Sequence, residues 1–170
     1  WSMTVNLRGR KRFFYKRCLG HALSMALVRN AGTVVSIRED AKDIFLLKVR
    51  LDRAIDFRAG QFISLALPDN PKLKRSYSIL RYDPENLIVT FGIKREPEGR
   101  FSGPLTAVRP GQELLVLGPL GRMTLTTDER FIFIAGGIGL PPMYTLYDEA
   151  RSLGKTAYLF YSGRTHNEML

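Results

Sequence analysis

A chain of 170 residues with 45% hydrophobic content has material for one large domain, or one domain and part of another, and needs no staples to bury a core. Its one cysteine, Cys18, excludes an internal disulfide, a four-cysteine zinc site and a cysteine-ligated iron–sulfur cluster, and His21 and His166 lack the neighbours of a metal site. The net charge of +10 is uneven: residues 1–38 carry eight Arg or Lys and no acid, while residues 39–170 carry eighteen basic and sixteen acidic residues, so the body is nearly balanced and does not read as a nucleic-acid groove.

Residues 1–30 form a basic leader or linker. Six basic residues fall between Arg8 and Arg17, with Phe13, Phe14 and Tyr15 among them, and Leu19, Ala22, Leu23, Ala26 and Leu27 follow at helical spacing. The apolar run from Cys18 to Val28 is shorter than the ~20 residues a bilayer span requires. Such a segment suits a mitochondrial-type presequence, a secretory signal, a helix in contact with a membrane surface, or a linker from a preceding domain. Its interleaved aromatics would also suit stacking on single-stranded nucleic acid, a reading the balanced body disfavours. The cysteine usage points to a reducing, cytoplasmic location, with a mitochondrial or membrane-surface one as the alternative if the leader targets or anchors.

Residues 31–126 read as an antiparallel β-barrel. Strands are expected over 33–38, 44–51, 62–67, 75–80, 87–95 and 113–117, each bounded by turn residues such as Pro68-Asp69-Asn70-Pro71 and Asp83-Pro84-Glu85-Asn86. Alternation in Arg75-Ser76-Tyr77-Ser78-Ile79-Leu80 puts Arg75, Tyr77 and Ile79 on one face. A guanidinium there can take a phosphate, a phenol ring can cover a flat heterocycle, and the Ser78 hydroxyl can hydrogen-bond at its edge. Alone, the hexapeptide equally suits a half-buried strand whose Arg and Tyr reach solvent. In Gly99-Arg100-Phe101-Ser102-Gly103-Pro104, Ser102 reads as the N-cap of a short helix with proline in its first turn. A glycine turn into a helix start presents N–H groups to an anion, or simply joins two strands.

Residues 127–170 change in character. Phe131–Ala135 is a continuous apolar run, as in a strand buried on both faces. It leads into Gly136-Gly137-Ile138-Gly139-Leu140-Pro141-Pro142, a helical segment from Met143 to Leu153, and a second strand over 156–161. This is a βαβ unit whose glycine-rich turn suits nucleotide phosphates, although proline stands where GxGxxG has its third glycine. The expected architecture is therefore a six-stranded antiparallel barrel followed by the start of a Rossmann-like parallel sheet, and the resemblance described next implies that the barrel binds flavin.

A barrel, Arg-x-Tyr-Ser, Gly-x-x-Ser and Ala-Gly-Gly-x-Gly-x-x-Pro, in that order over residues 31–170, resemble the ferredoxin–NADP reductase superfamily of flavin reductases. The resemblance implies an FAD-dependent NAD(P)H oxidoreductase that moves hydride to flavin N5 and electrons on to a haem or iron–sulfur acceptor. It places Tyr77 on the isoalloxazine and Ser78 near N5 as the catalytic pair, with Arg75 on a flavin phosphate. Ile93 and Lys94 would contact the flavin tail, and Gly99, Arg100, Phe101 and Ser102 would bind the pyrophosphate. Gly136, Gly137, Gly139 and Pro142 would lie under the nicotinamide nucleotide, and Arg164 would touch its phosphate or adenosine. FAD is favoured over FMN by the pyrophosphate-type helix start; NADH and NADPH are not distinguished. The redox partner is another protein or domain. The family's nucleotide half has about five parallel strands, so a chain with two is expected to be truncated, with an unpaired sheet edge and weak reaction with NAD(P)H. The alternative function is a flavin-binding electron-transfer or regulatory subunit without nicotinamide activity.

Overall fold

The computed structural model of the protein describes residues 29–165, 167 and 169–170. The readings of Cys18, His21, His166 and the leader through Val28 lie outside the described residues. Positions 29 and 30, expected in the leader, open the first strand.

Six strands close into a barrel: β1 (Arg29–Ala41), β2 (Ile44–Leu51), β3 (Phe62–Ala66), β4 (Lys74–Asp83), β5 (Ile88–Lys94) and β6 (Glu113–Leu120). Their order around the barrel is β1-β2-β5-β4-β3-β6, with every neighbouring pair antiparallel. The strands form because apolar and polar residues alternate. In β2, Leu47, Val49 and Leu51 point inward while Lys48 and Arg50 face out. Several strands run longer than expected, as ladder bonding carries β4 to Asp83 and β6 to Leu120.

The barrel core holds Leu47, Ile63, Leu65, Ile79, Phe91 and Leu114, all fully buried. One end is closed by the short helix α1 (Ser102–Thr106), whose Leu105 is sealed inside, with Phe101 buried just before it. Burying each such side chain contributes about 1.5–3 kcal/mol.

The remaining elements form a βαβ unit: β7 (Arg130–Gly136), a 3-10 turn (Gly137–Gly139), α2 (Leu140–Ser152) and β8 (Thr156–Ser162). β7 and β8 are parallel, in register from Arg130↔Thr156 to Gly136↔Ser162. The helix starts at Leu140, ahead of the expected Met143, because Pro141 and Pro142 fit its first turn, where missing N–H groups cost nothing.

One expectation fails outright. The apolar run of β7 is buried on one face only: Phe133 packs with Leu146 and Ala150 of α2, and Ala135 on the same face is buried. Ile132 and Ile134 point away, beside Tyr158 and Phe160 of β8, and are about half exposed. A single helix covers this sheet among the described residues, so only one side of the strand finds an apolar neighbour.

Two close approaches join the βαβ unit to the barrel. The buried Gly60 N–H donates to Thr145 Oγ1 of α2 at 3.0 Å, and that hydroxyl donates to the Pro142 carbonyl at 3.1 Å. Gly92 on the outer face of β5 leaves room for Ile138, Pro141 and Leu170, which would stand 3.2–3.5 Å from a Cβ at that position.

Candidate functional site

The β4–β5 hairpin is zipped at its turn and open at its other end. Its ladder runs from Asp83↔Ile88 to Ile79↔Phe91 and stops there. Beyond that point Lys74–Ser78 pair only with β3, while Gly92–Lys94 pair only with β2. The barrel wall therefore parts between Arg75–Ser78 on one lip and Ile93–Lys94 on the other. Unpaired strand edges there can hydrogen-bond a ligand as readily as another strand.

Along the first lip, polarity changes with depth. Ile79 is fully buried, Tyr77 half-buried and Arg75 exposed, all on the face that meets the buried Ile63 and Leu65 of β3. The expected common face holds, and it runs from core to mouth. The Arg75 guanidinium donates to the Lys74 carbonyl at 2.8 Å and forms no ion pair with a described residue, which leaves its remaining donors for an anion. Ser78 is half-buried on the alternate face, opposite Phe62.

Tyr77 stacks on Phe101, with ring centroids 6.3 Å apart and planes inclined by 27°. Burial pushes the Tyr77 phenol up to about 12, against a smaller downward pull from the Arg75 guanidinium. The ring is thus a neutral, supported platform at working pH. Phe101, expected at the pyrophosphate, is itself buried and acts as the support beneath Tyr77. The Ile93 side chain is sealed in the core, so it is the backbone of this residue that reaches the opening. Lys94, on the same lip, lies 3.9 Å from Glu96.

The loop after β5 turns tightly at Gly99, whose N–H donates to the Glu96 carbonyl at 2.9 Å. A Cβ at Gly99 would collide with the Ser102 hydroxyl. That hydroxyl does not cap α1, as the sequence suggested. Phe101 occupies the cap position without a side-chain bond, and Ser102 Oγ accepts from the Glu96 N–H at 3.0 Å. Folding the loop back over the serine satisfies Glu96 in place of the helix end. Arg100 is exposed beside this turn and pairs with no described acid.

The glycine turn of the βαβ unit lies against the same end of β5, held there by the close approach at Gly92. A Cβ at Gly136, Gly137 or Gly139 would meet nothing within 4 Å, and Gly137 takes a positive φ of 50°. Space over this turn is open, so a ligand can lie on the backbone. Pro142 sits in the first turn of α2, with its carbonyl engaged by Thr145. Between the turn and the barrel is a groove of about 190 Å³ that Gly137, Ile138, Lys94, Arg95 and Arg164 help to line. Arg164 is therefore beside the glycine turn. Sequence reasoning missed Gly92, Arg95 and Thr145; an isolated glycine inside a strand was the available sign of a close approach.

The residues fit a flavin nucleotide. The parted strands give an opening beside a packed aromatic ring, Arg75 on its lip and Arg100 beside the Gly99 turn form no ion pair with a described residue, and that turn is too tight for a side chain. Among the described residues no group of three His, Cys, Asp or Glu is placed to hold a metal.

Residues 31–125 match the family model described as the oxidoreductase FAD-binding domain. Among curated proteins, tetrachlorobenzoquinone reductase of Sphingobium chlorophenolicum is 30% identical over 138 residues, covering 78% of this chain and 42% of that protein. The electron transfer subunit of dihydroorotate dehydrogenase B (NAD(+)) from Streptococcus mutans is 30% identical over 133 residues, covering 74% and 50%. Among solved structures, the ferredoxin reductase in carbazole 1,9a-dioxygenase superposes with a TM-score of 0.78 at 28% identity, covering 86% and 46%. The chain spans about half the length of these relatives, or somewhat less.

Proposed function

The chain belongs to the oxidoreductase FAD-binding domain family and is ferredoxin reductase-like, and from that premise we propose that it is the flavin-holding part of a reductase that takes hydride from NAD(P)H and passes electrons to an iron–sulfur or haem partner. The observation that carries this reading is the early end of the β4–β5 ladder, beside the Gly99 turn and within reach of the glycine turn of the βαβ unit.

Bound FAD would supply the redox chemistry, accepting two electrons with hydride and releasing them singly. The protein's part is to bind, orient and shield. Tyr77, braced by Phe101, would support one face of the ring, and Ser78 would hydrogen-bond at its edge. Arg75 and Arg100 would hold the phosphates, with the backbone of Gly99–Ser102 closing around them. Gly136, Gly137 and Gly139 leave their backbone open to a nicotinamide nucleotide, and Arg164 lies in the adjoining groove for its phosphate. Hydride transfer needs orientation and no general base. Likeness to ferredoxin reductase and to an electron transfer subunit supports the choice of acceptor class.

The test is anaerobic addition of NADH, and separately NADPH, to the FAD-loaded chain while the flavin absorbance is followed. Bleaching by either nucleotide supports the reductase reading. Absorbance that persists while dithionite still bleaches it would overturn nicotinamide activity for this chain, leaving a flavin-binding electron-transfer subunit.

A further inference from the structure

The turn half of the β4–β5 hairpin carries a second concave site, away from the parted end. A groove of about 500 Å³ lies between the outer barrel wall and α2, within the size range of small-molecule sites. Its floor is one cross-strand row: Lys48 of β2 and Arg81 of β4 both register with Thr90 of β5. Val89 and Phe91 on either side of Thr90 are fully buried inward, so Thr90 faces out, yet it is only 8% exposed. Its hydroxyl makes no hydrogen bond to a described residue.

The charges do not cancel within the groove. Arg38 is held by Asp40 at 2.8 Å, and the Asp83 carboxylate is occupied by the Asn86 side chain and the backbone N–H groups of Glu85 and Asn86. Lys48 and Arg81 form no ion pair with a described residue. They flank the Thr90 hydroxyl from both sides, about 5 Å to each neighbouring strand. Leu80, Leu140 and Tyr144 supply apolar wall.

We propose that this groove binds a small amphipathic organic anion: its carboxylate or sulfonate sits between Lys48 and Arg81 and accepts from Thr90, and its apolar body lies along Leu80, Leu140 and Tyr144. Two cations beside an open hydroxyl provide charge-assisted hydrogen bonds to an oxyanion. The apolar wall rewards a hydrocarbon or aromatic body, which a bare inorganic anion lacks. The site is distinct from the flavin opening. Through Leu140 and Tyr144 its ligand would also touch the helix that follows the glycine turn.

The experiment titrates the FAD-loaded full chain with 1-naphthoate and with its neutral analogue 1-naphthylmethanol, by calorimetry. The acid is expected to bind at one site about tenfold or more tighter than the alcohol. The Lys48→Gln/Arg81→Gln variant, altered only at exposed side chains, is expected to remove that preference while its flavin spectrum stays unchanged. Equal binding of acid and alcohol, or a preference that survives the double substitution, would overturn the proposal. So would displacement of FAD by naphthoate, which would put the ligand in the flavin opening. Binding abolished by Thr90→Val as well supports it further, and binding indifferent to Thr90→Val removes the hydroxyl from the site.

Discussion

Tyr77 lies two residues from a fully buried isoleucine and two from an exposed arginine, so its ring is packed while its hydroxyl still feels a cation. The consequence is thermodynamic. In the folded chain the phenol keeps its proton up to about 12, whereas an unfolded tyrosine releases it near 10. The unfolded state therefore binds fewer protons above pH 10, and this contribution to stability, complete below pH 10, is lost as pH rises through about 12. Urea unfolding at pH 8 and pH 11 checks this: the wild type should lose more stability over that interval than Tyr77→Phe. Parallel losses would show that burial at Tyr77 does not shift its titration.

At the scale of elements, one of the two close approaches that join α2 to the barrel rests on a single buried side chain. Thr145 accepts from Gly60 and donates to Pro142, so it ties the first turn of the helix to the turn before β3. Thr145→Val keeps the shape and leaves the Gly60 N–H buried without a partner, at a cost of about 1–3 kcal/mol. We expect a lower urea midpoint with the FAD spectrum retained, and slower bleaching by NADH or NADPH than in the wild type. An unchanged midpoint would show that the bond carries no weight.

Much of this was legible in the chain. Alternation and turn residues give the six barrel strands, because a half-buried strand must repeat every second residue. The glycines and prolines give the strand–turn–helix of the βαβ unit. Three things were not legible. The early end of the β4–β5 ladder depends on pairing partners distant in sequence. Ser102 reads as a cap in its own segment, and only the return of the loop at Glu96 gives its hydroxyl another donor. The run Phe131–Ala135 is apolar on both faces, so sequence cannot say which face is covered. Of the candidate residues, Arg75, Tyr77, Ser78, Lys94 and Gly99 come together around the opening, while the side chains of Ile93 and Phe101 turn inward.

For the whole molecule, the face of the β7–β8 sheet turned away from α2 is exposed among the described residues. Ile132, Ile134, Tyr158 and Phe160 form an apolar patch on one side of a parallel pair, and exposed apolar strands promote association. We expect the 170-residue chain to self-associate with rising concentration, and Ile134→Lys/Phe160→Lys to reduce this in sedimentation velocity without altering FAD uptake. Association unaffected by both lysines would locate the sticky surface elsewhere.

The central claim is that the parted end of the β4–β5 hairpin holds FAD on Arg75 and Tyr77. The most direct measurement is a titration of the flavin-free chain with FAD, followed by the visible spectrum and flavin fluorescence. The account predicts saturable uptake of one FAD per chain with fluorescence quenched by the Tyr77 ring, and roughly 10–100-fold weaker binding by Arg75→Gln, as expected for lost charge-assisted hydrogen bonds. A folded chain that takes up no FAD, or one whose affinity is indifferent to Arg75→Gln, would contradict it.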